Sequence, residues 1–163
     1  MNFYRNLNFI IYERAKNARE VATECNLRYR WLCRLKQGDI KNLYYDLFPD
    51  IYKICKYLDV HPADILFMDT IDFRYKYLDP SVKEYVEVNH NFIFNVKLFL
   101  NNHPSLTIKE KVYRAYMGRF YRFSAKRKVQ RMLGGHTKYT LDDVIKISKV
   151  LGEDPKFILF GVL

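Results

Sequence analysis

The side chains best suited to recognition chemistry are cations that cluster between residues 28 and 36. Four of these nine residues, Arg28, Arg30, Arg34 and Lys36, are basic, and no acidic side chain interrupts them. A guanidinium group can donate two parallel hydrogen bonds to a phosphate, a carboxylate or the O6 and N7 atoms of guanine. The cluster therefore indicates a ligand that presents phosphate groups or purine edges.

A second cationic run lies in the C-terminal half of the chain. Between residues 114 and 131, seven cations occur in eighteen residues without an acid: Arg114, Arg119, Arg122, Lys126, Arg127, Lys128 and Arg131. The formal net charge of the whole chain is +10. Residues 1–81 hold 13 Lys/Arg against 11 Asp/Glu, a net of +2, and residues 82–163 hold 15 against 7, a net of +8. The second half would therefore dominate any attraction to a polyanion.

Several common catalytic and phosphate-binding motifs are absent from this sequence. The sequence has no Gly-rich phosphate loop, no H-E-x-x-H and no G-x-S-x-G. Cys25, Cys33 and Cys55 form no C-x-x-C pair, and no histidine has ligand spacing to them. We therefore expect no enzyme activity, no cofactor and no metal, with buried free thiols in a reducing cytoplasm. No apolar run approaches the roughly 18 residues of a membrane span, so we expect no membrane contact.

An internal repeat indicates how the chain is organised. Residues 50–67, DIYKICKYLDVHPADILF, align without gaps to residues 143–160, DVIKISKVLGEDPKFILF, and nine of the eighteen pairs are identical. In each copy apolar residues recur at helical spacing, a short turn follows, and Pro62 or Pro155 opens a second helix. The repeat predicts two copies of one structural unit in tandem.

Each repeated helix pair is similar to the last two helices of the lambda-repressor-like (Cro/CI, XRE-type) family. Upstream of the first copy, AREVATECNLRYRWLCRLKQG, residues 18–38, resembles the helix-turn-helix pattern of that family without a gap. Asn26 stands where the turn usually has glycine, and asparagine tolerates the left-handed backbone of such a turn. Leu32 and Leu35 occupy core positions, and Gly38 is expected to end the helix.

The match also shows departures from the family pattern. Arg28 replaces the usual serine or threonine N-cap, and Lys36 replaces the usual glutamate.

In the second copy SAKRKVQRMLGG, residues 124–135, matches RYRWLCRLKQG in pattern. The preceding helix is expected to begin at Thr107, where T-I-K-E forms a capping box. The second turn is four residues longer, counted between equivalent core positions of its two helices.

The resemblance implies a mainly α fold with two tandem five-helix helix-turn-helix domains, at residues 1–68 and 89–163. Residues 69–88 would connect them. Apolar and charged side chains alternate in the stretch IDFRYKY of this connector, and the turn residues D-P-S follow. Such alternation around a proline turn predicts a short β-hairpin. The capping box S-V-K-E at Ser81 leaves open a helix that leads into the second domain.

The resemblance also implies which side chains touch DNA, because in this family the second helix of the motif enters the major groove. The implied base-reading residues are Arg28, Tyr29, Arg30 and Arg34 in the first copy and Lys126, Arg127 and Arg131 in the second. The implied phosphate contacts are Asn17, Lys36, Gln37 and Lys41 in the first copy and Arg119, Arg122, Lys128, Thr137 and Lys138 in the second. Arginine bonds guanine bidentately, so guanine is expected in both half-sites.

The leading hypothesis is a sequence-specific regulator of transcription that binds double-stranded DNA, a repressor of phage or mobile-element type associated with the nucleoid. Two reading helices in one chain would occupy two half-sites, so a homodimer is optional. An alternative of another class stays open: a phage-type inhibitor that uses this fold to bind a host nucleic-acid enzyme or RNA. Only the first hypothesis requires Arg30 and Arg34.

Overall fold

The computed structural model describes residues 2–15, 17–40, 42–102 and 123–161. These residues are mainly α-helical, as expected, and apart from one isolated β-bridge they contain no β-structure. No helix among them is long and apolar enough to cross a membrane.

The chain divides into two compact units, and neither unit is a single stretch of sequence. Unit 1 comprises Met1–Lys41 and Leu47–Val88. Unit 2 comprises Asn42–Asp46 and Asn89–Leu163. The stretch 69–88, expected as a connector, thus belongs to unit 1.

The described part of unit 1 forms six α-helices. They are α1 (Asn2–Arg14), α2 (Ala18–Glu24), α3 (Tyr29–Gln37), α4 (Phe48–Tyr57), α5 (Pro62–Phe67) and α6 (Thr70–Tyr77). The central helix is α1, which packs against α3, α5 and α6 and buries Phe3, Leu7, Ile10 and Ile11. These apolar residues recur every three or four positions and therefore lie on one helix face.

The predicted β-hairpin at residues 69–88 is wrong, because Thr70–Tyr77 is the helix α6. The side chain of Asp69 caps this helix by accepting a hydrogen bond of 2.9 Å from the backbone N–H of Ile71. Phe73 and Tyr77 are both buried. The alternating pattern contains this pair at helical i, i+4 spacing, and its burial favours the helix. The alternative helix at Ser81 is also absent, because residues 82–91 have no regular secondary structure.

Polar contacts hold α6 and the segment after it on unit 1. The Tyr77 hydroxyl donates a hydrogen bond of 2.9 Å to the buried carboxylate of Asp64, and the Lys76 ammonium lies 2.8 Å from the same oxygen. The guanidinium of Arg14 donates to the backbone carbonyls of Leu58, Asp59 and Val82. These bonds hold the first part of the segment between the two repeats on unit 1, and they join residues that lie far apart in the sequence.

The described part of unit 2 contains four helices. They are α7 (Phe92–Asn102), α8 (Phe123–Leu133), α9 (Leu141–Leu151) and α10 (Pro155–Phe160). The helix expected to start at Thr107 lies outside the described residues. In both units the second helix of the repeated pair begins at the repeated proline, and the preceding turn has a left-handed residue at the same repeat position, Asp59 (φ 52°) and Gly152 (φ 75°). The sequence repeat is therefore a repeat of local structure.

In each unit a buried asparagine ties the first helix to the helix that begins at the repeated proline. In unit 1 the side-chain amide of Asn6 donates to the carbonyls of Ile65 and Met68, at 3.4 and 3.0 Å. In unit 2 the amide of Asn95 donates to the carbonyls of Ile158 and Gly161, at 3.1 and 2.6 Å. The carbonyls occupy equivalent repeat positions. Each asparagine thereby satisfies carbonyls that a helix end leaves without intrahelical partners.

Unit 2 is completed by the segment Asn42–Asp46. The side chain of Leu43 is buried, and its carbonyl accepts a hydrogen bond of 2.9 Å from the N–H of Leu141. The N–H of Tyr45 donates to the carbonyl of Tyr139 at 3.0 Å, and the two aromatic rings stack with centroids 4.8 Å apart. This segment therefore supplies both backbone pairing and apolar packing to unit 2.

Candidate nucleic-acid interface

The first candidate surface is built from α2, a four-residue turn at Cys25–Arg28, and α3. The side-chain oxygen of Asn17 caps α2 by accepting a hydrogen bond of 3.0 Å from the N–H of Glu20. Asn26 adopts φ 52° in the turn, the left-handed conformation expected from the sequence. Arg28 at the start of α3 makes no side-chain cap. A helix N-terminus without such a cap offers its N–H groups to phosphate oxygens.

The helix α3 has one buried and one exposed side. Leu32 and Leu35 are completely buried, and Gly38 ends the helix with φ 75°. The base-reading residues implied for the first copy are all exposed: Arg28, Tyr29, Arg30 and Arg34. Because α3 contains no acidic residue, its exposed side is cationic. These side chains line an open groove of about 960 Å³.

Two further groups shape this surface at Tyr29. The guanidinium of Arg19, on the exposed side of α2, lies 5.5 Å from the centroid of the Tyr29 ring. A hydrogen bond with Cys33 raises the pKa of Tyr29, and the nearby charge of Arg19 lowers it. The net shift is upward, so the phenol is neutral near pH 7 and can donate a hydrogen bond. Cys33 is half-buried and lies one turn beyond Tyr29 on the same side of the helix.

The residues implied as phosphate contacts in the first copy have different surroundings. Asn17 and Gln37 are exposed, whereas Lys36 is half-buried and its backbone carbonyl accepts a hydrogen bond from the Asn8 amide. Lys41 lies outside the described residues. The side-chain oxygen of Asn17 is already used as a helix cap. A phosphate could therefore be bound only by the amide nitrogen of that side chain.

The second candidate surface is α8, which is related to α3 by its buried positions. Val129 and Met132 are completely buried, and Gly135 has φ 75°. Each lies 97 residues after its counterpart in the set Leu32, Leu35 and Gly38, since 129 − 32, 132 − 35 and 135 − 38 all equal 97. The structure places Arg127, Gln130 and Arg131 on the exposed side of α8. Lys126 and Lys128 lie on α8, but the structure does not describe their side chains. Arg119 and Arg122 lie outside the described residues.

The loop after α8 contains the last two implied phosphate contacts, Thr137 and Lys138. Thr137 is half-buried and Lys138 is exposed. The Lys138 ammonium lies 2.5 Å from the carboxylate of Asp46, and this hydrogen bond raises the pKa of Lys138. The charge of Lys138 is therefore balanced within unit 2 and is not simply available to a phosphate.

Sequence reasoning did not identify three residues of these surfaces. Arg19 and Gln130 could have been found by extending the helical periodicity to the exposed sides of α2 and α8. Asp46 could not, because its partner Lys138 lies 92 positions away. Among the described residues, no three His, Cys, Asp or Glu side chains cluster in a way that could hold a metal ion.

Searches of protein-family models, of curated proteins and of solved structures with this chain found no match.

Proposed function

We propose that this chain is a sequence-specific regulator that binds double-stranded DNA and reads two half-sites with α3 and α8. The observation that carries the proposal is the division of α3 into a buried side and an acid-free exposed side. Leu32 and Leu35 anchor the helix, while Arg30 and Arg34 point away from the core. This is the arrangement that a helix needs in order to present arginines to a nucleic acid.

The dimensions and chemistry of the DNA major groove suit such a helix. The groove is roughly 12 Å wide and admits an α-helix, and guanine presents its O6 and N7 acceptors there. Arg30 and Arg34 lie four positions apart and so project from one side of α3. Their bidentate bonds to guanine would select sequence, while Gln37 and the amide of Asn17 would contact the backbone.

The second unit supports a tandem reader. In α8, Arg127 and Arg131 occupy the positions of Arg30 and Arg34 at the same offset of 97 residues, since 127 − 30 and 131 − 34 both equal 97. Both are exposed. One chain would thus carry two reading helices, a task for which helix-turn-helix proteins commonly use a dimer. On this basis we propose a repressor-like regulator of the lambda-repressor type.

Selection of binding sites from random duplex DNA tests the proposal. Wild type is expected to enrich a motif with two guanine-containing half-sites. The double variant Arg30→Ala/Arg34→Ala should lose the first half-site, and Arg127→Ala/Arg131→Ala should lose the second. Lys56→Ala/Lys83→Ala removes two exposed cations outside both helices and serves as a charge-matched control, so it should retain the full motif. Enrichment of no sequence by wild type would contradict the proposal.

A protein-binding role is the second candidate, and one observation favours it. Ile71, Tyr75 and Leu78 on and after α6 are 65%, 80% and 60% exposed, a large apolar surface for a small unit. A phage-type inhibitor that binds a host nucleic-acid enzyme could use this surface. In that case Ile71→Ser/Tyr75→Ser would abolish activity and the arginine variants would not.

A further inference from the structure

The exposed sides of α3 and α8 differ at several equivalent positions, and one of these differences bears on which bases the two helices select. The buried pairs Leu32/Val129 and Leu35/Met132 place α3 and α8 in the same register. In that register Cys33 of α3 corresponds to Gln130 of α8, again 97 residues later. Both helices have an arginine three positions before this site and another one position after it, so here the two helices differ between arginines that they share.

The two side chains also have different surroundings. Cys33 is half-buried and interacts with Tyr29. Gln130 is exposed and lies three positions after Arg127 and one before Arg131 on the last complete turns of α8. Its backbone carbonyl accepts a hydrogen bond of 2.9 Å from the N–H of Gly134, four residues later, at the C-terminal end of α8. The Gln130 amide therefore projects from an ordered helical position beside two exposed arginines.

A glutamine amide at such a position has a defined preference among bases. Its oxygen accepts from the N6 amino group of adenine while its nitrogen donates to N7, and this pair is specific to adenine in the major groove. A cysteine thiol is a weak donor and a weak acceptor and cannot form the pair. The side chain at position 130 can therefore select adenine, whereas the side chain at position 33 cannot.

We propose that Gln130 reads an adenine beside the guanines of the second half-site, and that the two half-sites recognised by this chain are consequently not identical. The inference rests on the proposed function, because it requires α8 to lie in a major groove. It adds a specificity-determining residue and an asymmetry to that function. The expected operator is then an imperfect repeat whose second half contains an adenine that the first half lacks.

The test compares binding-site selection for wild type, Gln130→Ala and Gln130→Glu. A bidentate contact discriminates between bases by roughly 5- to 150-fold. We expect Gln130→Ala to lose that preference at one base pair of the second half-site. Gln130→Glu has an acceptor only and should shift the preference toward cytosine, whose N4 amino group donates. Asn101→Ala removes an exposed side-chain amide on α7, outside both reading helices; it is the control and should alter no base preference.

The reciprocal variant Cys33→Gln moves the adenine-reading group to the first unit. It should add an adenine preference at the equivalent place in the first half-site, and failure to do so would overturn the equivalence of the two helices. If wild type enriches a two-part motif and both Gln130 variants leave every base preference unchanged, the inference about Gln130 is wrong and the proposed function stands. If wild type enriches no motif, the proposed function itself fails. Thermal melting of each variant separates these outcomes from misfolding.

Discussion

At the scale of single residues, the ion pair with Asp46 makes Lys138 a weaker candidate for phosphate binding than its sequence position implies. The resemblance implies that Lys138 contacts a phosphate, but its ammonium lies against the carboxylate of Asp46. A surface ion pair of this kind contributes little to stability, because water and salt screen the attraction between its charges. Its larger effect would be on binding, because a cation with a neighbouring anion attracts phosphate less strongly.

If the chain binds DNA as proposed, replacement of Asp46 by asparagine should therefore strengthen that binding. Each phosphate neutralised by a protein cation adds about −0.9 to the slope of log affinity against log salt concentration. We expect Asp46→Asn to make that slope steeper by about one contact, and expect Asp46→Asn/Lys138→Gln to lose the gain. Fluorescence anisotropy over a salt series measures both. Asp72→Asn, an exposed acid on α6, is the charge-matched control, and an equal slope change in that variant would contradict a local role for Asp46.

The three thiols also differ in their surroundings, and this gives a chemical probe of the α3 surface. Burial raises the pKa of Cys25 to about 11 and also raises the pKa of the fully buried Cys55. Both thiols are therefore protonated near neutral pH and poorly nucleophilic. Cys33 is half-buried on the side of α3 that carries the arginines.

Cys33 is expected to be alkylated by iodoacetamide before the other two cysteines, and bound duplex DNA should slow that reaction. Mass spectrometry of peptides after timed alkylation measures all three sites in the intact chain. Protection of Cys25 rather than Cys33 by DNA would argue against α3 as the contacting helix. Heparin, a polyanion without bases, provides a control for protection by charge alone.

At the scale of elements, a buried asparagine in each unit joins the first helix to the helix that begins at the repeated proline. Asn6 and Asn95 are completely buried, and each donates to two carbonyls beyond the reach of helical hydrogen bonding. Loss of the amide would leave those carbonyls without this donor in an apolar interior. A buried polar group without its partner costs about 1 to 3 kcal/mol.

Asn6→Ala and Asn95→Ala should each lower the free energy of unfolding by about 1 to 3 kcal/mol. Urea denaturation followed by circular dichroism measures the change. Asn101→Ala, an exposed asparagine on α7, should stay within about 0.5 kcal/mol of wild type, as surface substitutions usually do. Equal losses for Asn95→Ala and Asn101→Ala would mean that the buried hydrogen bonds do not stabilise unit 2.

At the scale of the whole molecule, the boundary between the two units does not follow the boundary between the two repeats. Asn42–Asp46 lies in sequence between α3 and α4 of unit 1, yet it belongs to unit 2. Its residue Leu43 is 1% exposed, and its Tyr45 ring stacks on Tyr139. A stretch cut from residue 89 onward would therefore lack part of its own core.

Leu43→Ala in the full chain should destabilise unit 2 although residue 43 lies between two helices of unit 1. Truncation of a buried leucine to alanine costs about 2 to 5 kcal/mol. We expect faster amide hydrogen exchange in α9 and α10, with little change in α1 and α5. Faster exchange confined to α1 and α5 would show that the segment stabilises unit 1 instead.

The sequence by itself determined the features that depend on neighbouring residues. The repeated helix pairs, the left-handed Asn26 and the end of α3 at Gly38 all follow from helical periodicity and from backbone preferences that act within a few positions. The amphipathic division of α3 follows for the same reason.

The tertiary structure alone decided which distant groups meet. The alternating stretch around Phe73 was compatible with both strand and helix, and burial of Phe73 and Tyr77 in unit 1 selected the helix. The pairing of Asp46 with Lys138 depends on a path of 92 residues, about which local propensity carries no information. The same holds for Asn6, whose partners lie 59 and 62 positions away. Such contacts arise from the packing of whole elements, because only the folded path brings these residues within hydrogen-bond distance.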